Sequence, residues 1–493
     1  MEIITSARPL LVVSVSLIGV ILIAASSKKP NQREFCTILT ALTKFFLVVS
    51  MLPTILQGKV IEFLLITVLP GLDVKFRVDA FGIFFAITSS SLWILNSLYS
   101  IGYMRSLKEH AQTRYYICFA IALSATMGIA FSANLFTLFL FYEVLTICTY
   151  PLVIHKETPE ARKGGKRYLA YLLGTSIAFQ LFAIFLVYDI SGTLEFSSQG
   201  ILAGKGSNLL LSAIFFLFIA GIGKGALMPF HLWLPAAMVA PTPVSALLHA
   251  VAVVKAGVFT ILKIVLFVFG VDLLSQLGLG LVLAYCACFT TIAASFVALK
   301  EDNLKLRLAY STVSQLSYII LGAALLSPSA ITGAVMHIVV HAFGKITLFF
   351  TAGAIYVAAH KKKISELDGI GKQMPFTMTA FAIGSLSMIG LPPASGFLSK
   401  WYLFLGSIEA DQAPVFIVLA VSAVLNAFYF LPIVYAAFFK DLPPGEKAER
   451  REAPAFMVVP LMLTAIGTLI ILFCPSFFID LAGMVAASTT GGN

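Results

Sequence analysis

Residues 220–245 read AGIGKGALMPFHLWLPAAMVAPTPVS, an apolar stretch in which a lysine, Lys224, is followed closely by four prolines. Proline removes an amide donor and clashes with the preceding helical turn, so a helix cannot run uninterrupted through this stretch. Broken helix at membrane depth is tolerated only where it is buried in protein or lines a wet cavity. We therefore predict a membrane span that is broken beside a buried lysine.

A second stretch repeats this arrangement. Residues 387–404 read SMIGLPPASGFLSKWYLF, with Pro392 and Pro393 just before Lys400. Two interrupted segments in the two halves of a chain, each with a lysine, point to ion sites in a transporter built from inverted repeats. The alternative is a pair of packing kinks without function.

The composition around these stretches is that of a membrane protein. Of 493 residues, 59% are hydrophobic and 11% are charged, and the mean hydropathy is +0.97. So few charges cannot cover the surface of a soluble fold of this length, which excludes a cytosolic enzyme, a secreted disulfide scaffold and a disordered chain. None of the six cysteines forms a CxxC pair, so neither an iron–sulfur cluster nor a disulfide framework is expected.

Fourteen apolar segments are each long enough to be a candidate membrane helix. The first segment lies near the N-terminus, where a signal peptide would lie. Its positive charges follow the apolar stretch and do not precede it, so we expect a retained helix and not a signal peptide. Residues 57–78 alternate in polarity and predict a short outward-facing β-hairpin. The segments are 8–26, 36–56, 79–103, 115–131, 133–154, 167–188, 208–228, 243–270, 273–299, 306–326, 329–358, 375–406, 414–439 and 454–482.

The positive charges are distributed unequally between the two sides of the membrane. The linkers after segments 1, 3, 5, 9, 11 and 13 hold 22 of the 33 Lys and Arg residues. The opposite side holds five, which are Arg8, Lys59, Lys75, Arg77 and Lys205. By the positive-inside rule the basic linkers face the cytoplasm, and both termini are predicted outside. The net charge of +10 therefore reflects topology and not nucleic-acid binding.

Ionisable groups in the bilayer cost at least about 2.5–3.5 kcal/mol each, so they are functional candidates. Glu143 is the only acid deep inside a segment. A buried lysine can lose its proton whereas arginine cannot, so an all-lysine set suits a proton relay. The basic groups within segments are Lys44, Lys224, Lys255, Lys263, Lys345, Lys400, His249, His337 and His341.

His337, His341 and Lys345 follow one another at four-residue spacing and so share a helical face. A zinc site there is disfavoured because the lysine would repel the metal and no acid lies nearby. We favour a hydrogen-bonded proton wire over zinc or satisfied core histidines. His249 and Lys255 do not share a face, so their link would need water.

Four further residues have plain structural alternatives. Lys44 and Lys263 lie near segment ends and can extend to the interface. The sequence also allows His231 and Trp233 to be interfacial anchors.

The glycines of GIGKGA at 221–226 lie inside an apolar helix with no preceding strand, so they do not form a phosphate loop. The sequence predicts no cofactor, no metal and no catalytic centre of its own.

At these residues the chain resembles the antiporter-like membrane subunits shared by Mrp-type cation/proton antiporters, respiratory complex I and membrane-bound hydrogenases. The resemblance runs from about residue 75 to 440. Its most specific pieces are LFLFYE (138–143), KGALMPFHLWLPAAMVAPTPVSALLHAVAVVKAG (224–257), HAFGKITLFFTAGA (341–354) and GLPPASGFLSK (390–400).

The resemblance implies an all-α polytopic fold with about 14 helices and two inverted five-helix repeats, with helices 7 and 12 broken. The implied divisions are N-terminal helices at 1–114, a first proton-channel repeat at 115–270, a second inverted repeat at 273–440, and a C-terminal loop and helix at 441–493. Carried onto this chain, Glu143 pairs with Lys224, Lys255 bridges, and Lys400 ends the relay. His337 and His341 match histidines of the second channel.

The resemblance further implies a proton-translocating subunit of a multisubunit Na⁺/H⁺ antiporter in a bacterial or archaeal cytoplasmic membrane, with other membrane subunits as partners. The loop TYPLVIHKETPEARKGGKRYLAYLLGTS (149–176) is most similar to the D-type Mrp subunit. A proton-pumping N- or M-like subunit of complex I or of a hydrogenase is the alternative. A self-contained small-solute carrier and a purely structural membrane subunit also stay open.

Overall fold

Most of the chain is helical in this computed structural model. The structure describes residues 2–445 and 448–491, and it describes only the backbone of residue 249. Between the main helices lie the short helical stretches Leu52–Leu56, Trp233–Ala236, Thr242–Ala246, Val271–Leu277 and Ile370–Gln373. The main helices are α1 (Arg8–Ala25), α2 (Pro30–Val49), α3 (Ala80–Ser106), α4 (Gln112–Ala130), α5 (Leu135–Val153), α6 (Pro159–Ser191), α7 (Asn208–Gly221), α8 (Val253–Phe269), α9 (Leu279–Lys300), α10 (Leu304–Ala324), α11 (Pro328–Ala359), α12a (Pro375–Ile389), α12b (Gly396–Glu409), α13 (Ala413–Phe439), α14 (Ala455–Phe473) and α15 (Ser476–Thr490).

These helices confirm an all-α polytopic membrane protein. Within the described residues, ten helices are long and apolar enough to cross a membrane, and α8 together with Val271–Leu277 is equally apolar but is bent by 85° at the junction of the two helices. Three further apolar helices, α7, α12a and α15, are shorter, with 10–17 residues each. The count of fourteen spans, the inverted repeats and the four sequence divisions stay predictions.

Several segment ends differ from the sequence prediction because of local breakers. The last segment splits at Cys474–Pro475 into α14 and α15. The predicted seventh segment ends its α-helix at Gly221, before Lys224, and continues as the 3₁₀ turn Gly223–Gly225. The predicted segment 375–406 is interrupted between Ile389 and Gly396. Both breaks therefore lie at the lysine-bearing stretches, as predicted from their prolines.

Side-chain caps fix where several helices begin. Asp79 accepts a hydrogen bond from the Gly82 amide at 2.6 Å, and Asn134 accepts one from the Thr137 amide at 2.8 Å. Such caps satisfy amide groups that the first helical turn leaves open, and each is worth about 1 kcal/mol. Thr158, Ser207, Asn303 and Ser327 cap α6, α7, α10 and α11 in the same way.

A three-stranded sheet at one end of the bundle confirms the predicted hairpin. Strand β2 (Val60–Leu69) pairs antiparallel with β3 (Leu72–Val78), from Ile61 opposite Val78 to Leu69 opposite Leu72. The sheet also contains β1 (Ile3–Thr5), parallel to β2, which the sequence analysis did not predict. A strand of three residues is too short to give a polarity pattern.

The long helix α11 forms the centre of the molecule. Its most apolar 18-residue window is 94% buried, against 33% for α1. It packs against α3, α10, α12a, α12b, α14 and α15. Outer helices instead expose large apolar side chains such as Phe289 and Phe428. This arrangement explains the high apolar fraction, because lipid and not water faces the outer surface.

Candidate functional site

Lys224 lies in the 3₁₀ turn Gly223–Gly225, where the break after α7 brings it against α5. Its side chain is fully buried. The Nζ atom donates to the Tyr142 carbonyl oxygen at 2.8 Å and to the Thr146 hydroxyl at 2.6 Å, and it lies 3.1 Å from the centre of the Tyr142 ring. A buried ammonium needs such acceptors, because burial of an unpaired charge is costly.

Glu143 follows Tyr142 on α5, the helix that holds this amine. Both its carboxylate oxygens are buried. The charges of Glu143 and Lys224 act on each other, but the hydrogen bonds of the amine go to Tyr142 and Thr146. The predicted pair is therefore brought together as neighbouring charges without a direct hydrogen bond within the described structure.

Lys255 and His341 form a direct hydrogen bond between α8 and α11. The Lys255 Nζ atom lies 2.8 Å from the His341 Nδ1 atom, and both side chains are buried. Lysine and imidazole each exist in a protonated donor form and a neutral acceptor form, so a proton can occupy either side of this bond. The sequence analysis named both residues but did not pair them.

His337 lies one turn before His341, with the two ring centres 6.1 Å apart. Its Nδ1 atom lies 2.8 Å from the Ser399 hydroxyl, and its Nε2 atom lies 3.0 Å from the Gln315 Oε1 atom. Gln315 in turn donates to the Met388 carbonyl oxygen at 3.4 Å. These bonds link α11 to both halves of the broken helix α12.

Lys400 binds the end of α12a. Its Nζ atom donates to the carbonyl oxygens of Met388 at 2.8 Å and Ile389 at 2.9 Å, and it lies over the Tyr318 ring at 4.8 Å. The last carbonyl groups of a helix lack intrahelical partners and carry the negative end of its dipole. The break in α12 therefore creates a cation site, and Lys400 is its occupant.

Lys345 forms its hydrogen bonds with α10 and not with the two histidines in the described part of the chain. Its Nζ atom donates to the Ser311 hydroxyl at 2.7 Å and to the Leu308 carbonyl oxygen at 3.2 Å, both on α10. Ser311 also accepts a hydrogen bond from the Tyr429 hydroxyl at 3.2 Å. The shared helical face predicted for His337, His341 and Lys345 is buried throughout.

The remaining candidates occupy different surroundings. The side chain of His249 lies outside the described residues. Lys44 is fully buried over the Trp93 ring at 5.2 Å, and its amine has no hydrogen-bond partner among the described residues. Lys263 forms a 2.8 Å ion pair with Asp79, the cap of α3.

The interpretation of Trp233 as an interfacial anchor is wrong. Its indole is fully buried, donates to the Gly223 carbonyl oxygen at 2.9 Å and packs edge-on against Tyr168. It therefore braces the turn that carries Lys224. His231 is partly exposed, with its ring 6.4 Å from that of Tyr310.

The sheet end of the molecule carries a separate charge network outside the membrane helices. Glu62 on β2 lies 3.0 Å from the Lys75 Nζ atom and 2.5 Å from the Arg77 Nε atom. Glu195 joins the same two bases at 2.9 Å and 3.5 Å. Burial alone would raise the pKa of Glu62, but the hydrogen bonds from Lys75 and Arg77 outweigh it and hold that pKa below its ordinary value.

Sequence reasoning missed the neutral residues that hold the buried bases. Tyr142, Thr146, Gln315, Ser311 and Ser399 are all contacts of Lys224, His337 or Lys345. Two of them had a usable signal, because Tyr142 precedes Glu143 and Ser399 precedes Lys400. The others are hydroxyl and amide side chains of ordinary appearance in an apolar helix, and only the packing gives them a role.

Known families and proteins match most of this chain. Residues 132–426 match the model of the family described as NADH:quinone oxidoreductase/Mrp antiporter, transmembrane. The chain is 35% identical over 396 residues to NADH-quinone oxidoreductase subunit N of Desulforudis audaxviator, covering 76% of this chain and 77% of that protein. It is 32% identical over 441 residues to a Na(+)/H(+) antiporter subunit of Alkalihalophilus pseudofirmus, covering 82% of this chain and 53% of that protein.

The chain therefore belongs to the NADH:quinone oxidoreductase/Mrp antiporter family of membrane proteins. It spans about half the length of the Alkalihalophilus protein. A chain in the structure of the Mrp complex from Dietzia sp. has the same fold, with a TM-score of 0.88 over 98% of this chain and 97% of that one, at 21% identity.

Proposed function

We propose that this family member is a proton-translocating subunit of a multisubunit Mrp-type Na⁺/H⁺ antiporter. One observation carries the proposal. A set of titratable side chains lies at and between the two helix breaks and includes the lysine–histidine bond between α8 and α11. It consists of the buried carboxylate oxygens of Glu143 and the buried side chains of Lys224, Lys255, His341, His337 and Lys400. Buried ionisable groups in a bilayer are costly and mark proton or ion pathways.

The neighbouring charge of Glu143 controls the proton on Lys224 in this proposal. Lys224 holds its proton when the Glu143 carboxylate is close, because an opposite charge favours the charged amine. When the acid moves away, burial favours the neutral amine and the proton passes toward Lys255 and His341. It then leaves through His337 and Lys400. Each charge that crosses the membrane is worth about 2.3 kcal/mol per 100 mV, which can drive sodium export.

The assembly and location follow from the same family. The proposed partners are other membrane subunits of the antiporter, in a bacterial or archaeal cytoplasmic membrane with both termini outside. The D-type subunit remains the proposed position because of the loop at 149–176. His249 and Lys345 are proposed as accessory groups, and Lys345 would store a proton beside Ser311.

A second candidate is an N-like proton-pumping subunit of an NADH-quinone oxidoreductase. One observation favours it, because the similarity to the subunit N relative covers about three quarters of both chains. Adding Na⁺ to everted vesicles that hold a pH gradient separates the two candidates. An antiporter dissipates the gradient on addition of Na⁺, whereas a redox-driven pump forms it only with its electron donor.

The first prediction tests the relay in everted vesicles that contain the assembled complex. Lys224→Met and Glu143→Gln are each expected to lower proton transport at least about tenfold, because both remove a titrating group. Lys44→Met is the matched control, because Lys44 is equally buried but has no hydrogen bond to the relay. Transport at the wild-type rate in either relay variant would show that the proposal is wrong.

A purely structural role gives a different pattern. The double variant Lys224→Met with Glu143→Leu removes both charges, so it leaves no unpaired buried charge to destabilise the assembly. Normal assembly with lost transport supports the relay. Normal assembly with normal transport supports a structural role for this pair.

A further inference from the structure

A buried histidine whose ring has no hydrogen-bond partner among the described residues lies at the basic-loop end of α5. The side chain of His155 is fully buried, and neither of its ring nitrogens has a hydrogen-bond partner among the described residues. Buried polar groups are almost always satisfied, so such an atom needs an explanation. His155 takes no part in the proton relay proposed above.

Two further metal-ligand side chains surround this ring. Glu109 and His110 lie in the short loop between α3 and α4. The His155 Nε2 atom is 3.8 Å from the Glu109 Oε2 atom, and the His110 and His155 rings stack with their centres 4.8 Å apart. Each of the three residues offers one ligand atom within 4.8 Å of the other two. No local pattern indicates this cluster, because His155 lies 45 residues after His110.

The distances suit a transition-metal ion after a small movement. Two ligands at about 2.0–2.2 Å from a tetrahedral zinc ion lie roughly 3.4 Å apart. The His155–Glu109 separation is only slightly larger than this. The side chain of His110 is half exposed and can move toward the other two.

The neighbouring charges leave the three ligands available. Arg114 is paired with Glu157 at 2.7 Å, and the same Glu157 oxygen lies 3.7 Å from the His110 Nε2 atom, which is beyond hydrogen-bond distance. A neutral imidazole offers a nitrogen lone pair, and metal binding releases any proton that the ligand carries.

We propose that Glu109, His110 and His155 form a binding site for one Zn²⁺ ion that ties the α3–α4 loop to the end of α5. Two imidazoles and one carboxylate are a known zinc ligand set, with a fourth position left for water. Imidazole nitrogen also selects zinc over magnesium or calcium, which prefer oxygen ligands. Because α5 carries Glu143, the bound ion would fix the helix that supplies the relay acid.

The test measures zinc binding by the purified full-length protein after treatment with a chelator, by competition with a chromophoric zinc indicator. Wild-type protein is expected to bind one Zn²⁺ per chain at this site. His110→Asn and Glu109→Gln are expected to weaken that binding at least about tenfold. The His110 side chain is half exposed, and Glu109→Gln keeps the shape of its side chain, so both variants keep the fold even if His155→Asn does not.

His360→Asn is the matched control, because it removes an exposed histidine from another loop, and asparagine tolerates the left-handed backbone present there. It is expected to bind zinc like the wild type. Absence of a stoichiometric site in the wild type would overturn the proposal. Equal zinc affinity in the His110, Glu109 and His360 variants would overturn it as well, because binding would then come from other residues.

Discussion

At the residue scale, the buried lysines differ in what receives their charge. Lys224 and Lys400 donate to backbone carbonyl groups, and Lys255 shares a hydrogen bond with His341. Lys263 has a full ion pair with Asp79. A lysine held by neutral acceptors can lose its proton more readily than one held by a carboxylate. This difference separates the proposed relay residues from the structural base Lys263.

Lys44 provides a stability prediction at the same scale. Its amine has no hydrogen-bond partner among the described residues, and only the face of the Trp93 ring receives its charge. Replacing a buried charge by an apolar side chain of similar volume is often neutral or stabilising by about 1–4 kcal/mol. We expect Lys44→Met to unfold in detergent at the wild-type temperature or above. A clearly lower unfolding temperature would contradict this account of Lys44.

At the element scale, the two helix breaks depend on close backbone approach at glycines. A Cβ atom on Gly257 of α8 would lie 2.2 Å from the Lys224 carbonyl carbon, and one on Gly396 of α12b would lie 1.6 Å from the Ser387 carbonyl oxygen. Only glycine allows either approach. The glycines thus bring Lys224 against α8, and Lys400 against the end of α12a.

Gly396→Ala is therefore expected to displace α12b from α12a. The change should lower the free energy of unfolding by about 1–3 kcal/mol, as overpacking does elsewhere, and should reduce proton transport because Lys400 loses its carbonyl partners. Thermal unfolding and vesicle transport measure the two effects. Gly174→Ala is the control, since nothing lies within 4 Å of its added Cβ atom and alanine favours helix. Equal behaviour of the two variants would contradict the prediction.

The charge network of the sheet makes a pH prediction at this scale. The pKa of Glu62 in the folded protein lies below its ordinary value of 4.5. The ionised carboxylate therefore stabilises the fold fully above pH 4.5, and this stabilisation is lost as the pH falls through the pKa of the folded protein. Glu62→Gln should lower the free energy of unfolding by about 1–3 kcal/mol at pH 7. The difference from wild type should shrink below about pH 4.5.

Thermal unfolding in detergent from pH 3 to pH 7 measures this difference. Glu160→Gln is the control, because Glu160 is exposed in the first turn of α6 and should change stability by less than about 0.5 kcal/mol. A Glu62→Gln effect that is the same at pH 3 and pH 7 would assign the stabilisation to shape and not to charge.

At the scale of the whole molecule, the charged groups of the sheet are separate from those of the helical core. The carboxylate–base network of the sheet lies outside the helices, whereas the Glu143 carboxylate oxygens and the buried lysines and histidines lie within the helical core. The outer helices present apolar side chains outward. Because α11 contacts helices from both halves of the chain, it connects the site at Lys255 with the site at Lys400.

The predicted orientation can be tested by labelling single cysteines in a cysteine-free background. Ser198→Cys lies on the side with few basic residues and Lys163→Cys lies on the basic side, and both positions are exposed. A maleimide that cannot cross the membrane should label only Ser198→Cys in intact cells and only Lys163→Cys in everted vesicles. The reverse pattern would place both termini in the cytoplasm.

The sequence by itself determined the membrane class, the position of the two breaks and the identity of the buried charges. Hydropathy, proline chemistry and the cost of burying a charge are local properties, so they can be read from consecutive residues. The hairpin at 60–78 was predictable for the same reason. The boundary at Pro475 was missed, because a single proline within a long apolar run is compatible both with one continuous helix and with two separate helices.

Only the tertiary structure decided which side chains meet. The Lys255–His341 bond joins residues 86 positions apart, and the Gln315–His337 bond joins residues on different helices. The cluster of Glu109, His110 and His155 depends on two loops that meet at the end of α5. Contacts of this kind depend on how helix faces pack against one another, and the packing is set by close approaches such as Gly257 and Gly396 that no local pattern records.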